Sequence, residues 1–172
     1  MSLEKDRTSI WSEMLANRCH PEAAPAISLP GLYALFLNSG GFLGVILPAA
    51  DGLLYVGMTD SSLEARNHFK HKSSGFSTLR RSLGAILRAD LGLVPIPRSP
   101  GSTRAHFKFD EDGEQRLSEW MAAHLDYAFV TVEGDRRTLE KQLILDRQPP
   151  LNLTDWRNPQ SRNIKSLRAL CR

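Results

Sequence analysis

The chain has 172 residues, 41% of them hydrophobic, and a net charge of +3, the proportions of one ordinary globular domain with length left for an insertion. No apolar run approaches the ~20 residues of a membrane helix, and the longest, residues 41–50, is interrupted by Gly44 and Pro48. The charged start (Glu4, Lys5, Asp6, Arg7) is not a secretory signal, and Cys19 and Cys171 have neither zinc-ligand spacing nor the number for a disulfide framework; a cytoplasmic protein with no membrane partner is expected.

Ile10, Trp11, Met14 and Leu15 recur at helical spacing. They predict a short helix within an N-terminal extension over residues 1–28, ended by Pro21 and Pro25. Residues 32–37 and 53–58 read as strands. Gly40, Gly41, Gly44, Pro48 and Asp51-Gly52 between them favour an antiparallel pair, with Val45-Ile46-Leu47 extending one strand. Ser61 and Glu64 have the spacing of a capping box, opening a helix that carries Arg66 and, one turn on, Lys70; Ser73-Ser74-Gly75 stops it.

Residues 77–92 predict a second helix. Leu79, Leu83, Ile86, Leu87 and Leu91 form its apolar stripe, with Arg80, Arg81 and Arg88 largely outside it. Pro95, Pro97 and Pro100 predict a loop, residues 104–109 a strand, 114–124 a helix and 126–133 a strand rich in β-formers. Gly134-Asp135 caps a helix that runs to about Arg147, where Gln148-Pro149-Pro150 ends it. Residues 151–153 form a short extended piece and 158–170 a last, basic helix. The outline is a small mixed sheet covered by helices, of α+β or α/β type.

Residues 65–89 and 156–172 contain no Asp or Glu. Single-sign charge on this scale suits a polyanion; the plainer alternative is a solvated helix face. Glu140 shares a helical face with Leu143 and Ile144, where a carboxylate is costly unless paired. Its partner is either an arginine, such as Arg136 at i−4 or a neighbour in space, or a hard divalent cation. Tyr33 and Tyr55 suit packing in apolar strands, or proton handling if a cation lies near enough to change their acidity. Arg66 suits an ion pair and Asn152 a turn.

Taken together, these residues resemble the GIY-YIG nuclease superfamily. Gly31-Leu32-Tyr33 matches the first motif, Tyr55-Val56-Gly57 the second, and Arg66, with Leu63 before it, the arginine that follows. Glu140 matches the metal-binding glutamate, and Asn152 after Pro149-Pro150 the late asparagine. The resemblance implies an α+β fold with a three-stranded antiparallel sheet flanked by helices. The domain would occupy residues 29–155, with an insertion at about 73–125 and a basic C-terminal helix over 156–172.

It further implies a metal-dependent endonuclease that hydrolyses phosphodiester bonds of DNA. Mg2+ or Mn2+ would sit on Glu140, Arg66 would hold the phosphate, and Tyr33 or Tyr55 would orient or deprotonate the attacking water. Asn152 would orient the site by hydrogen bonds, and Gly31 and Gly57 would let backbone approach closely. Relatives often carry His or Tyr where this chain has Lys70, so Lys70, His68 and His71 are the candidates for that partner. Arg80, Arg81 and Arg88 are the expected DNA contacts. A homodimer and a subunit of a larger DNA-processing system are both open. The alternative function is a scaffold that binds nucleic acid or protein without cutting.

Overall fold

The computed structural model describes residues 6–70, 73–101 and 106–172. In chain order the elements are α1 (Arg7–Ala16), β1 (Gly31–Leu37), β2 (Leu53–Thr59), α2 (Thr78–Leu91), β3 (Pro95–Pro97), β4 (Phe107–Phe109), α3 (Glu111–His124), β5 (Leu125–Thr131), α4 (Arg136–Arg147) and α5 (Ser161–Ala169). Strands β2, β1 and β5 form a three-stranded antiparallel sheet in that order, with β1 central; β3 and β4 form a separate antiparallel ribbon. This is the expected α+β class. Among the described residues, no helix is long and apolar enough to cross a membrane.

Alternation along the strands sorts side chains onto two faces. Leu32, Ala34, Phe36, Val56, Ala128 and Val130 pack with Ile10, Trp11 and Met14 of α1 and with Leu143 and Ile144 of α4. Tyr33, Leu35 and Tyr127 face the other way. There they join Leu83 and Leu87 of α2, Leu117 and Met121 of α3, and Ile164 of α5.

Both outer strands are partly covered along their free edges. The Leu54 carbonyl of β2 accepts the Leu151 N–H at 2.9 Å. Tyr127 of β5 exchanges both backbone hydrogen bonds with Cys19, at 2.8 and 2.9 Å. The two cysteines are unbridged.

Caps explain most helix boundaries. Asp6, Ser77, Asp110 and Asp135 each accept an N–H from the first turn of the helix that follows. Helix α2 ends on Gly92 in the left-handed conformation.

Several expectations fail for identifiable reasons. Residues 61–70 form consecutive turns, not a helix. Ser62, one residue after the expected cap, accepts the Ala65 N–H at 2.9 Å, while the Ser61 hydroxyl bonds Thr59. The Asn67 side chain then takes the Phe69 N–H at 2.9 Å, diverting it from a helical bond. The prolines at 95 and 97 lie in a strand. The ribbon is bonded through Arg98 to His106 and Asp110 to Val94, which leaves Pro95 and Pro97 at positions that need no N–H donor. Residues 45–47 do not extend a strand; Ile46 is buried while Val45 and Leu47 are exposed. The strand expected over 104–109 is described from Phe107 onward, and Arg104 lies outside the described residues.

Arg80 is the largest correction: it is fully buried, not part of a DNA-facing surface. Its Nη2 donates to Glu114 Oε2 at 2.8 Å and to Ser118 Oγ at 3.0 Å. Glu114 Oε1 also accepts the backbone N–H groups of Ser74 and Phe109, at 2.7 and 3.1 Å. This carboxylate therefore joins α2, α3, β4 and the turn over residues 74–76. Arg81 is likewise mostly buried, with Nη1 donating to the Gly75 carbonyl at 3.1 Å. Arg88 is half-buried and donates to the Leu170 carbonyl at 2.7 Å, tying α2 to the chain after α5.

Candidate active site

The register of β1 against β2 puts Tyr33 opposite Gly57 and Leu35 opposite Tyr55. A Cβ on Gly57 would lie 2.5 Å from both Cζ and the hydroxyl oxygen of Tyr33. The missing side chain is therefore the space the phenol occupies. Gly31 is equally constrained, since a Cβ there would strike the Val130 carbonyl. The rings of Tyr33 and Tyr55 lie 6.1 Å apart, and Tyr127 of β5 stacks on the other side of Tyr33 at 6.3 Å.

Tyr33 is buried, and its hydroxyl lies 2.8 Å from His68 Nε2. The far ring nitrogen of His68, Nδ1, is 3.1 Å from Ser77 Oγ, the N-cap of α2. Ser77 Oγ also accepts the Arg80 N–H at 3.1 Å. A chain of polar contacts thus runs from the central strand through His68 into the first turn of α2. Burial raises the Tyr33 phenol well above its ordinary acidity range; Tyr55 opposes ionisation as well, while Arg66 favours it. Burial also raises Tyr55, and the charge of Glu140 adds to that shift. Both phenols are therefore held neutral near pH 7.

Arg66 projects from the turns after β2 and is solvent-exposed. It is held protonated chiefly by Tyr33, with Tyr55 and Glu140 contributing, so the guanidinium sits within electrostatic reach of all three. Glu140, on α4, is 6% exposed. Burial raises its carboxyl above the usual range, with Arg137 and Arg66 opposing that shift. Its ion-pair partner is Arg137 at i−3, whose Nη2 also donates to Asp155 at 3.2 Å. Arg136 pairs instead with Asp60 at 2.8 Å.

Asn152 lies beside the edge of β2. Its Oδ1 accepts the Val56 N–H at 2.9 Å and its Nδ2 donates to the Val56 carbonyl at 2.8 Å. The side-chain amide thus copies a neighbouring strand for the residue between Tyr55 and Gly57. Lys70 is exposed and paired with Glu64 at 2.8 Å. His71 lies outside the described residues. Of the three candidates for the His/Tyr position of the relatives, His68 is the one found hydrogen-bonded to Tyr33; its place two residues after Arg66 was the available sequence signal. Arg137, Asp155, Ser77 and Tyr127 carried no comparable signal.

A family model described as the GIY-YIG catalytic domain matches residues 45–172. The chain belongs to the GIY-YIG family. The match begins after Gly31-Leu32-Tyr33, so that motif rests on the register with Gly57, and it continues through α5. No curated protein and no solved structure matches the chain. The GIY-YIG family is of nuclease type.

Proposed function

We propose that this GIY-YIG protein is a divalent-metal-dependent DNA endonuclease. The supporting observation is convergence: the rings of Tyr33 and Tyr55 lie 6.1 Å apart with His68 against the Tyr33 hydroxyl, and Arg66 lies within electrostatic reach of both phenols and of Glu140, so three distant stretches of chain meet. In this reading the exposed Arg66 guanidinium receives the scissile phosphate, its planar fork suited to two phosphate oxygens. Charge that develops on the phosphorane is met by a cation already in place.

Burial keeps Tyr33 neutral, so it serves as a relay. As water attacks, the Tyr33 oxygen takes the water proton while the Tyr33 O–H proton passes to His68 Nε2 over the 2.8 Å contact. No free phenolate forms. Ser77 Oγ, against Nδ1, fixes the ring orientation of His68, and by accepting from Nδ1–H it leaves Nε2 free to take the proton. Positioned proton transfer of this kind contributes about 10²- to 10⁴-fold. Tyr55 flanks Tyr33 and Glu140, and Asn152 holds its strand in register.

The donor chemistry around Glu140 fits a hard cation. The carboxylate is 6% exposed, and its guanidinium partner, Arg137, is 52% exposed and shared with Asp155. Arg137 can swing to solvent and leave carboxylate oxygens facing Tyr55 and Arg66. A single protein carboxylate suits Mg2+ or Mn2+, since Mg2+ retains several waters. When bound, the ion supplies Lewis-acid neutralisation of phosphate charge. Glu140 would hold it, with Asp155 near enough to take over Arg137.

A plasmid-nicking assay with Mg2+ tests the assignment. Wild type should cut supercoiled DNA, and Glu140→Ala and Arg66→Ala should each abolish cutting. Cleavage that survives both substitutions, or DNA retention without cleavage under any divalent metal, would overturn it.

A further inference from the structure

The expected DNA-contacting surface on α2 is largely interior, because Arg80 is buried against Glu114 and Arg81 is mostly covered. Further positive charge lies around it, half-buried at Arg98 and Arg168 and exposed at Arg172. Arg98 leaves the ribbon directly after β3, its N–H donating to the His106 carbonyl at 2.9 Å. Its stem runs so close to Gly75 that a Cβ there would lie 2.9 Å from Arg98 Cγ. Its guanidinium reaches the ring of Phe76, 5.0 Å from the centroid. Arg81 bonds the other side of the same turn through the Gly75 carbonyl. Arg88 ties the chain after α5 to α2, and Arg168 of α5 and Arg172 come within electrostatic reach of Arg81.

These guanidiniums repel one another. Arg81 is pushed toward deprotonation first by burial, then by Arg98 and Arg172; Arg168 is pushed the same way by burial, then by Arg81 and Arg172. Among the described residues, no carboxylate side chain forms a salt bridge with any of the four. A cluster that costs stability in isolation is relieved by an external polyanion.

Beside Arg98 and next to the Gly75 carbonyl that Arg81 holds stands Phe76, 80% exposed even with Arg98 over its ring. It contributes little to the core, yet its turn is rigidly built. Glu114 accepts the Ser74 N–H at 2.7 Å, Ser73 Oγ accepts the Gly75 N–H at 3.3 Å, and Arg81 holds the Gly75 carbonyl. Ser77, the next residue, contacts His68, which contacts Tyr33.

We infer that Phe76, with Arg98, Arg168 and Arg172, is a docking surface for a single-stranded or unpaired stretch of DNA leading to the GIY-YIG site. The ring offers a stacking platform for one extruded base, and the arginines take the phosphates on either side. The chemistry is that of a strand with its bases free, since a paired base has no face to offer Phe76. This assignment rests on the reading of DNA as the substrate.

The test uses the full chain carrying Glu140→Gln, in EDTA, so that binding is read without cutting. A fluorescein-labelled single-stranded DNA 20-mer and the same sequence as duplex are titrated by anisotropy across a salt series. Phe76→Ala should weaken the single strand by about 5- to 100-fold and the duplex far less. Arg98→Ala and the charge reversal Arg172→Glu should each lower the log–log salt slope on the single strand by about 0.7 or more. Arg172 is exposed, so its variant keeps the test valid should Arg98→Ala misfold.

Unchanged affinity and slope in all three variants would overturn the inference. Equal losses on duplex and single strand with Phe76→Ala would overturn the base platform, and a single-stranded RNA 20-mer bound tightly where DNA is not would overturn the choice of ligand. Nicking is scored separately, with Glu140 intact. A Phe76-dependent binder that never cuts leaves this surface standing and removes the nuclease reading; a cutter indifferent to Phe76 does the reverse.

Discussion

Glu114→Ala is expected to be among the most damaging single changes in this protein. The carboxylate accepts from the Arg80 guanidinium at 2.8 Å, the Ser74 N–H at 2.7 Å, the Ser74 hydroxyl at 3.1 Å and the Phe109 N–H at 3.1 Å. Its removal leaves a cation with no exposed surface, and stranding a buried charge costs about 3–5 kcal/mol. For a chain of this length each kcal/mol lowers Tm by about 2–4 °C, so the melting temperature should fall by roughly 6–20 °C. In the cycle of Arg80→Met, Glu114→Leu and their double variant, the double should lose less than the two single losses added together, with a coupling energy above about 1 kcal/mol, while the orphaned N–H groups of Ser74 and Phe109 keep it below wild type. Urea unfolding followed by circular dichroism measures all four corners of the cycle. A Glu114→Ala protein within about 1 kcal/mol of wild type would refute the account, because a stranded buried charge cannot be that cheap.

Gly57→Ala puts a methyl group 2.5 Å from Tyr33 Cζ; thermal melts should show about 1–3 kcal/mol of overpacking, and plasmid nicking should drop far more than that loss of fold explains. Asn152→Ala orphans both the N–H and the carbonyl of Val56; equilibrium unfolding should show a loss of about 1–3 kcal/mol, and Asn152→Asp should be no better, because its carboxylate would face the Val56 carbonyl. Glu140 binds its proton more tightly in the folded protein, its carboxyl lying above the ordinary 4.5. That contributes stability below about pH 4.5 which is lost as pH rises through the folded value. Glu140→Gln should therefore flatten the stability profile in that window and be at least as stable as wild type at pH 7, while losing Mg2+-dependent cleavage; an unchanged profile from pH 4 to 7 would contradict the assignment.

Pattern alone located most of the scaffold, because the relevant forces are local. Apolar or β-forming runs beside turn residues marked β1, β2 and β5, and Asp135 caps α4 where Gly134-Asp135 predicts a cap. Long-range packing was not written in any single window. At the helical period Arg80 falls between Leu87 and Leu91, inside the leucine stripe of α2, so its burial follows from the period and the expectation that it lies outside the stripe is mistaken. What no single window holds is its partner, Glu114 on α3. The turns over residues 61–70 failed for a short-range reason, a competing side-chain bond from Asn67, which propensity averages cannot resolve. At the site, Tyr33, Tyr55, Gly57 and Glu140 are singled out through the family resemblance of their motifs, each signal being weak alone. That His68 rather than Lys70 bonds Tyr33 depends on those turns, since a regular helix would have pointed a different residue inward.

The treatment of the sheet's margins has a bearing on assembly. Leu151 and Asn152 lie along one outer strand and Cys19 along the other, so the middle stretch of each hem is already stitched. A second copy cannot simply lengthen this sheet by laying down a fourth strand. Two copies brought together to sever both strands of a duplex would have to meet through helices or loops, and the small sheet would stay the private interior of each.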